Sequence, residues 1–206
     1  MRAFCVSTCG VHDPVARKAR DGVYCLLMNT RFIVPELAVS HFHLRAGDVV
    51  ADIGAGSGFF EKVLSKAVGP DGTVYACEIQ KTLADTLEIL VRKEHLGNVK
   101  TLWCDLESAG SCTIRDNSLD AIVLANTLFQ IGDKDTAFRE IVRMLRPAGG
   151  KLLVLDWSDS FAGLGPQPSD VFTEEALKTL ATSHGLVYER SFPAGEHHYG
   201  AAFRKQ

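Results

Sequence analysis

Three glycines and two carboxylates stand where this sequence could hold a ligand. Gly54, Gly56 and Gly58 alternate in one short segment, and Glu78 and Asp105 follow in later segments. Glycines leave the backbone open to close approach, and a carboxylate about two dozen residues after the first glycine typically accepts hydrogen bonds from the hydroxyls of a ribose. The spacing therefore predicts binding of a nucleoside-like cofactor.

Strands that alternate with helices must position these residues. Predicted strands cover Val49–Ile53, Thr73–Ile79, Val99–Cys104, Leu119–Ala125, Lys151–Asp156, Leu186–Phe192 and His198–Phe203, and predicted helices cover Phe59–Val68, Lys81–His95, Thr136–Leu145 and Glu174–His184. The first five strands are apolar runs and the helices are amphipathic, which indicates a mostly parallel sheet covered on both faces. Because the carboxyl ends of parallel strands meet at one edge, Gly54, Glu78, Asp105 and Asn126 are expected to converge there.

The last two predicted strands set the detailed fold class. Only a short segment around Pro193-Ala194-Gly195 joins them, which is too short for a crossover between parallel strands. They must pair as a hairpin. We therefore predict an α/β fold of three layers, Rossmann-like, with a seven-stranded, mostly parallel sheet and an antiparallel final strand.

The position after the third glycine separates two kinds of cofactor. A dinucleotide motif reads Gly-x-Gly-x-x-Gly and holds a pyrophosphate at a helix N-terminus. In this chain Phe59 stands where that motif needs its third glycine, and no Lys-Ser or Lys-Thr pair follows to form a phosphate-binding P-loop. The sequence thus disfavours a nicotinamide dehydrogenase.

Five segments together resemble a class I S-adenosylmethionine-dependent methyltransferase of the small-molecule type. They are Val49–Phe60, Tyr75–Ile79 with Cys104–Leu106, Ser118–Asn126 and Arg143–Leu152. The resemblance covers about residues 47–156, and the predicted hairpin fits the same fold. It implies a methyltransferase domain over residues 46–206, preceded by an irregular or helical segment, residues 1–45, that could cover the substrate.

The resemblance also implies a cofactor and its binding residues. The cofactor would be S-adenosylmethionine, converted to S-adenosylhomocysteine, with the methyl group passing to a small molecule. The backbone at Gly54 to Gly56 would approach its methionine part, Glu78 would bind the ribose and Asp105 the adenine amino group. The carbonyl of Asn126 would face the cofactor's amino group. The expected cofactor-binding residues are Asp52, Gly54, Ala55, Gly56, Gly58, Glu78, Ile79, Asp105, Leu106 and Asn126.

No single catalytic residue follows from the sequence. Methyl transfer is an in-line displacement that depends mainly on alignment of the reacting atoms. Residues near the ends of predicted strands, Asp156 and Trp157 at the fifth strand and His198 in the final hairpin, are candidates for contact with the substrate. A histidine there could remove a proton near neutral pH, although a surface role is the simpler interpretation.

Composition limits the remaining possibilities. A net charge of −3 and the absence of a Lys/Arg block make a nucleic-acid partner unlikely, and no apolar run is long enough to span a membrane. The sequence contains no Cys-x-x-Cys pair, the spacing that is typical of a metal site. The six cysteines are therefore expected to be free thiols in a cytoplasmic protein.

Three alternatives stay open at this point. A nucleic-acid or protein methyltransferase, or a non-catalytic S-adenosylmethionine-binding subunit, would share the same core. A metalloid methyltransferase would need Cys5, Cys9 and Cys25 near the transferred methyl group. The oligomeric state does not follow from the sequence.

Overall fold

The computed structural model describes residues 33–161 and 165–206. Seven strands form one sheet: β1 Val49–Ile53, β2 Thr73–Glu78, β3 Val99–Trp103, β4 Ala121–Ala125, β5 Lys151–Trp157, β6 Leu186–Pro193 and β7 His198–Lys205. The helices are α1 Pro35–Ser40, α2 Glu61–Val68, α3 Lys81–Lys93, α4 Lys134–Met144 and α5 Glu174–Ser183, with a 3₁₀ turn at Leu128–Gln130. The expected alternation of strands and helices is confirmed.

The strand order is β3-β2-β1-β4-β5-β7-β6. Strands β1 to β5 are parallel, whereas β7 pairs antiparallel with both β5 and β6. This confirms the mostly parallel sheet and the terminal hairpin. The chain passes from the β3 side of β1 to β4 on its other side, and this reversal of strand order is where open α/β sheets bind ligands.

Side chains that alternate along the central strands fill two apolar layers. Val50 and Val123 pack with Leu64 and Leu87 on the side of α1, α2 and α3, while the intervening residues face the side of α4 and α5. Successive residues of a strand point to opposite faces, so strands buried on both faces are apolar throughout. The result is the predicted three-layer arrangement.

Helix ends are fixed by local sequence. Asp133 accepts a hydrogen bond from the Thr136 N–H (3.0 Å) and Thr173 from the Ala176 N–H (3.2 Å), so each caps the helix that follows it. Pro35 occupies the first turn of α1, where its missing N–H costs no hydrogen bond. The proline therefore begins this helix.

The expectation of free thiols is wrong for Cys104 and Cys112, which form a disulfide with their Cα atoms 4.5 Å apart. The segment between them folds back, since the Ser111 hydroxyl donates to the Asp105 carbonyl (2.5 Å) and the Asp105 N–H donates to Ser111 Oγ (3.1 Å). Cys77 is free and buried, as expected for a core thiol, and burial raises its pKa. Cys5, Cys9 and Cys25 lie outside the described residues.

Candidate functional site

Two adjoining cavities open at the carboxyl ends of the central strands. The first, about 270 Å³, we call the Glu78 cavity; Gly54, Gly56, Glu78, Ile79, Asp105 and Leu106 all line it. The second, about 340 Å³, we call the Phe59 cavity, and it is lined by Asp52, Gly54, Ala55, Gly56 and Asn126 together with Ile33, Ser57, Phe59, Phe60 and Ala125. Gly54 and Gly56 line both cavities, so the glycine loop separates them.

Glu78 connects the end of β2 to the glycine loop. The Gly56 N–H donates to its Oε2 (2.9 Å) and the Gln80 N–H to its Oε1 (2.8 Å). Each carboxylate oxygen therefore has one backbone donor and keeps a further lone pair for a ligand. The strand end thus places an acceptor pair at the wall of the Glu78 cavity.

The glycines of the loop have different physical roles. Gly54 has φ +79°, and a Cβ there would collide with the Thr127 side chain. Gly56 has φ +58° and faces open space, since no atom outside its neighbours lies closer than 4.0 Å to a Cβ built there. Gly58 lines neither cavity; the space of its missing side chain is taken by Leu90 and Leu87 of α3.

Asp105 holds the turn after β3. Its Oδ1 accepts from the Glu107 N–H (2.9 Å), and Glu107 Oε1 in turn accepts from the Asp133 N–H (2.6 Å). These bonds fix the segment that forms the outer wall of the Glu78 cavity. The disulfide from Cys104 closes the same segment covalently.

Asn126 directly follows β4 in a strained conformation. It has φ +54°, a region that non-glycine residues seldom adopt. Its carbonyl, expected to face the cofactor, accepts from Gln130 Nε2 (2.8 Å). Its buried side-chain Oδ1 has no hydrogen-bond partner among the described residues, and the residue lines the Phe59 cavity. Strain of this kind clusters at ligand sites.

The charge of the two cavities fits one class of ligand. Their lining residues, all within the described chain, include Asp52, Glu78, Asp105 and Glu107 and no Lys or Arg. Such walls suit a ligand that donates hydrogen bonds and carries positive charge, and they oppose a phosphate. In the described residues no group of three or more His, Cys, Asp or Glu is arranged to hold a metal ion.

Comparison with known proteins decides the family. Residues 51–154 match the family model described as a methyltransferase domain. The chain belongs to this methyltransferase family. A solved structure, a SAM-dependent methyltransferase from Aquifex aeolicus, matches 89% of this chain and 97% of its own with TM-score 0.78 and 27% identity.

Curated relatives share the same domain. The ubiquinone/menaquinone biosynthesis C-methyltransferase of Hahella chejuensis is 33% identical over 84% of this chain and 68% of its own. That of Pseudomonas paraeruginosa is 32% identical over 66% of this chain and 52% of its own. The chain thus spans about two thirds of one relative and about half of the other.

The chain is therefore a class I S-adenosylmethionine-dependent methyltransferase, and the expected family and cofactor are confirmed. Its residues fit this cofactor, which has hydroxyl and amino donors and a positive sulfonium but no phosphate. The carboxylates at the Glu78 cavity would hold the adenosine part. Asp52, the open backbone at Gly56 and the orphaned Asn126 Oδ1 would hold the methionine part beside the Phe59 cavity.

In this methyltransferase the three residues predicted to contact the substrate, Asp156, Trp157 and His198, line neither cavity. Asp156 accepts hydrogen bonds from the N–H groups of Trp157 (2.8 Å) and Phe129 (3.2 Å), which anchors the 3₁₀ turn after β4. Burial raises the pKa of Asp156 to about 6. The Trp157 and His198 rings lie 4.3 Å apart. Contact of these residues with the substrate stays a prediction.

Sequence reasoning missed two residues of this site. Thr127 donates from Oγ1 to the carbonyls of Ala125 (3.0 Å) and Ile53 (3.3 Å) and lines the Glu78 cavity. Glu61 is fully buried at the start of α2. A signal for Glu61 was present, because it shares a helix face with Leu64 and Val68, both of which are fully buried.

Proposed function

We propose that this methyltransferase transfers the methyl group to a carbon atom of a small, largely apolar, planar acceptor such as a quinol ring. The observation that carries this proposal is the Phe59 cavity, which adjoins the Glu78 cavity through the glycine loop. Besides the residues that would hold the methionine part, its lining includes the apolar side chains of Ile33, Phe59, Phe60 and Ala125. Relatives named for C-methylation in ubiquinone and menaquinone biosynthesis support the same acceptor class.

The geometry supports catalysis by positioning. Phe60 is buried, whereas Phe59 is 56% exposed and lies edge-to-face on Phe60 with ring centroids 5.4 Å apart. The exposed Phe59 ring, held by Phe60 beneath it, offers an apolar aromatic surface on which a planar acceptor could pack. Bound S-adenosylmethionine supplies the electrophilic methyl group, and alignment of an acceptor with it can contribute up to about 7–11 kcal/mol of the barrier.

A transfer assay with two readouts tests the proposal. Methyl-labelled S-adenosylmethionine is incubated with a demethyl quinol that has a short side chain, and the product is identified by mass spectrometry. Phe59→Ala is expected to raise the KM for this acceptor while leaving the Kd for S-adenosylhomocysteine unchanged. Phe161→Ala, at an aromatic residue that lines neither cavity, serves as the matched control.

The outcomes separate the alternatives. Cofactor binding without transfer to any apolar ring acceptor overturns the proposal and favours a non-catalytic subunit. Transfer to a nucleic acid or a protein instead would overturn the acceptor class alone. Equal acceptor KM values for the wild type and the Phe59→Ala variant would remove the Phe59 cavity from the acceptor path.

The cellular location of the enzyme is part of the same proposal. Among the helices of residues 33–161 and 165–206, none combines the length and apolar character needed to cross a bilayer. We retain the cytoplasmic location expected from composition, and cell fractionation tests it. The expected covering role of residues 1–45 lies largely outside the described part of the chain.

A further inference from the structure

Asp52 and Glu61 form a pair of buried carboxyl groups behind the glycine loop. Asp52 is 2% exposed and Glu61 is 0% exposed. Asp52 comes from the penultimate residue of β1 and Glu61 from the first residue of α2, so the loop that carries the glycines joins the two. Asp52 lines the Phe59 cavity, whereas Glu61 does not.

The pair lacks the donors that two charged carboxylates would need. Neither Glu61 oxygen has a hydrogen-bond partner among the described residues, and the Glu61 carboxyl lies close enough to Asp52 to raise the pKa of Asp52. Two ionised carboxylates in this space would repel each other and could only accept hydrogen bonds, whereas one proton shared between them would satisfy both. Burial without a cation favours the same state.

The groups around the pair add negative charge or none. Glu78 and the Cys77 thiol face it from β2, and the side of α3 nearest the loop presents Leu87 and Leu90. Lys62, next along α2, is turned to the surface and pairs with Glu94 (2.9 Å). Burial raises the pKa of both Asp52 and Glu61, and the carboxyl groups of Glu61 and Glu78 raise that of Asp52 further.

We propose that Glu61 is a positioning residue for the cofactor: its carboxyl shares one proton with Asp52, and this proton leaves to solvent when the positively charged cofactor binds. The sulfonium and ammonium groups supply the positive charge that the pair lacks in the empty site. One negative charge is then gained at the pair as the cation arrives. Because binding lowers the pKa of the pair, affinity rises with pH over the range in which the free pair is protonated.

Calorimetry of the whole chain with S-adenosylmethionine tests this directly. Between about pH 5.5 and 7, below the titration of the ligand's own amino group, affinity is expected to rise by up to about tenfold per pH unit. Binding heats in phosphate and in Tris are expected to differ by the ionisation heat of one proton. Methylthioadenosine keeps the adenosine contacts but lacks both positive groups, so it is expected to show neither effect.

Glu61→Gln separates this role from a structural one. The amide donates a hydrogen bond to Asp52, which is then ionised throughout this pH range, so the slope and the buffer dependence are expected to vanish. Glu140→Gln, at a buried glutamate that pairs with Arg143 far from the loop, is expected to keep both. A variant that merely loosened the fold would weaken binding equally at every pH.

Two results would overturn the proposal. The first is wild-type binding with the same heat in both buffers and the same affinity at both ends of the pH range. The second is a Glu61→Gln variant that retains the wild-type slope, since the proton would then belong to another group. Neither result touches the assignment of the acceptor, which the transfer assay tests separately.

Discussion

Replacement of Glu78 by alanine tests where the ribose of the cofactor binds. Glu78 is 4% exposed, and its two oxygens already accept the N–H groups of Gly56 and Gln80. The Glu78→Ala variant removes the acceptors offered to the ribose hydroxyls. It also removes the brace that holds the glycine loop against β2. Both losses reduce affinity for the cofactor.

The magnitude follows from the two expected hydrogen bonds. A hydrogen bond to a charged group contributes about 1.5–3 kcal/mol, so the loss of two corresponds to about 3–6 kcal/mol. The Kd for S-adenosylhomocysteine is therefore expected to rise by about 10²- to 10⁴-fold. The Glu78→Gln variant keeps the volume but turns an amide toward a backbone N–H, so an intermediate loss is expected.

Titration calorimetry with two ligands makes the measurement specific. S-adenosylhomocysteine is compared with an analogue that lacks both ribose hydroxyls, in the wild type and in the Glu78→Ala variant. The analogue is expected to bind weakly to both proteins with nearly equal Kd. Glu88→Ala, at an exposed carboxylate of α3, is the control. A Kd for S-adenosylhomocysteine within about threefold of wild type in the Glu78→Ala variant would refute this placement of the ribose.

Three further changes test other parts of the structure. Gly54→Ala is expected to cost at least about 1–2 kcal/mol of stability and to weaken cofactor binding, because its φ of +79° is strained and its Cβ would meet Thr127. The Gly47→Ala variant is the control, because Gly47 has a similar φ but open space around it. An equal loss of cofactor affinity in both variants would contradict a specific clash between residue 54 and Thr127. Burial raises the pKa of Asp156 to about 6, so stability should be greatest below its unfolded value, about 3.9, and fall by about 3 kcal/mol as pH rises between the two. Asp156→Asn should abolish this fall in denaturant unfolding, and an unchanged pH profile would contradict the assignment. Cys112→Ser should remove the disulfide after β3 and lower the unfolding free energy by about 2–3 kcal/mol; alkylation of both thiols in the denatured, unreduced wild type would show that the bond is absent.

The fold was largely predictable because local signals and tertiary packing agree. Buried parallel strands are continuous apolar runs, and their ends are marked by glycine or acidic residues. Predicted and observed bounds of β1 coincide at Val49–Ile53. Strand β4 was predicted two residues too early because Leu119 is apolar, yet Leu119 forms only an isolated bridge to Leu145.

The position of the site was predictable, but its internal bonding was not. Glu78 and Asp105 each follow or end a parallel strand, and the carboxyl ends of such strands lie at one edge of the sheet, so their common location could be predicted from topology alone. The shared proton of Asp52 and Glu61 depends on the exclusion of any cation from that space, which no local pattern encodes. The Cys104–Cys112 bond likewise depends on how a turn folds back, because a spacing of eight residues is compatible with many conformations.

The place of β7 in the sheet has a consequence for synthesis of the protein. β7 follows β6 in the chain but lies between β5 and β6, so a nascent chain on the ribosome cannot complete the sheet until residues 198–205 emerge. Until then β5 presents one open edge with apolar residues such as Leu153 and Leu155. Open apolar edges recruit strands from other chains, and non-local closure is slow. A stop codon placed before His198 should therefore yield aggregating chains rather than a smaller stable domain.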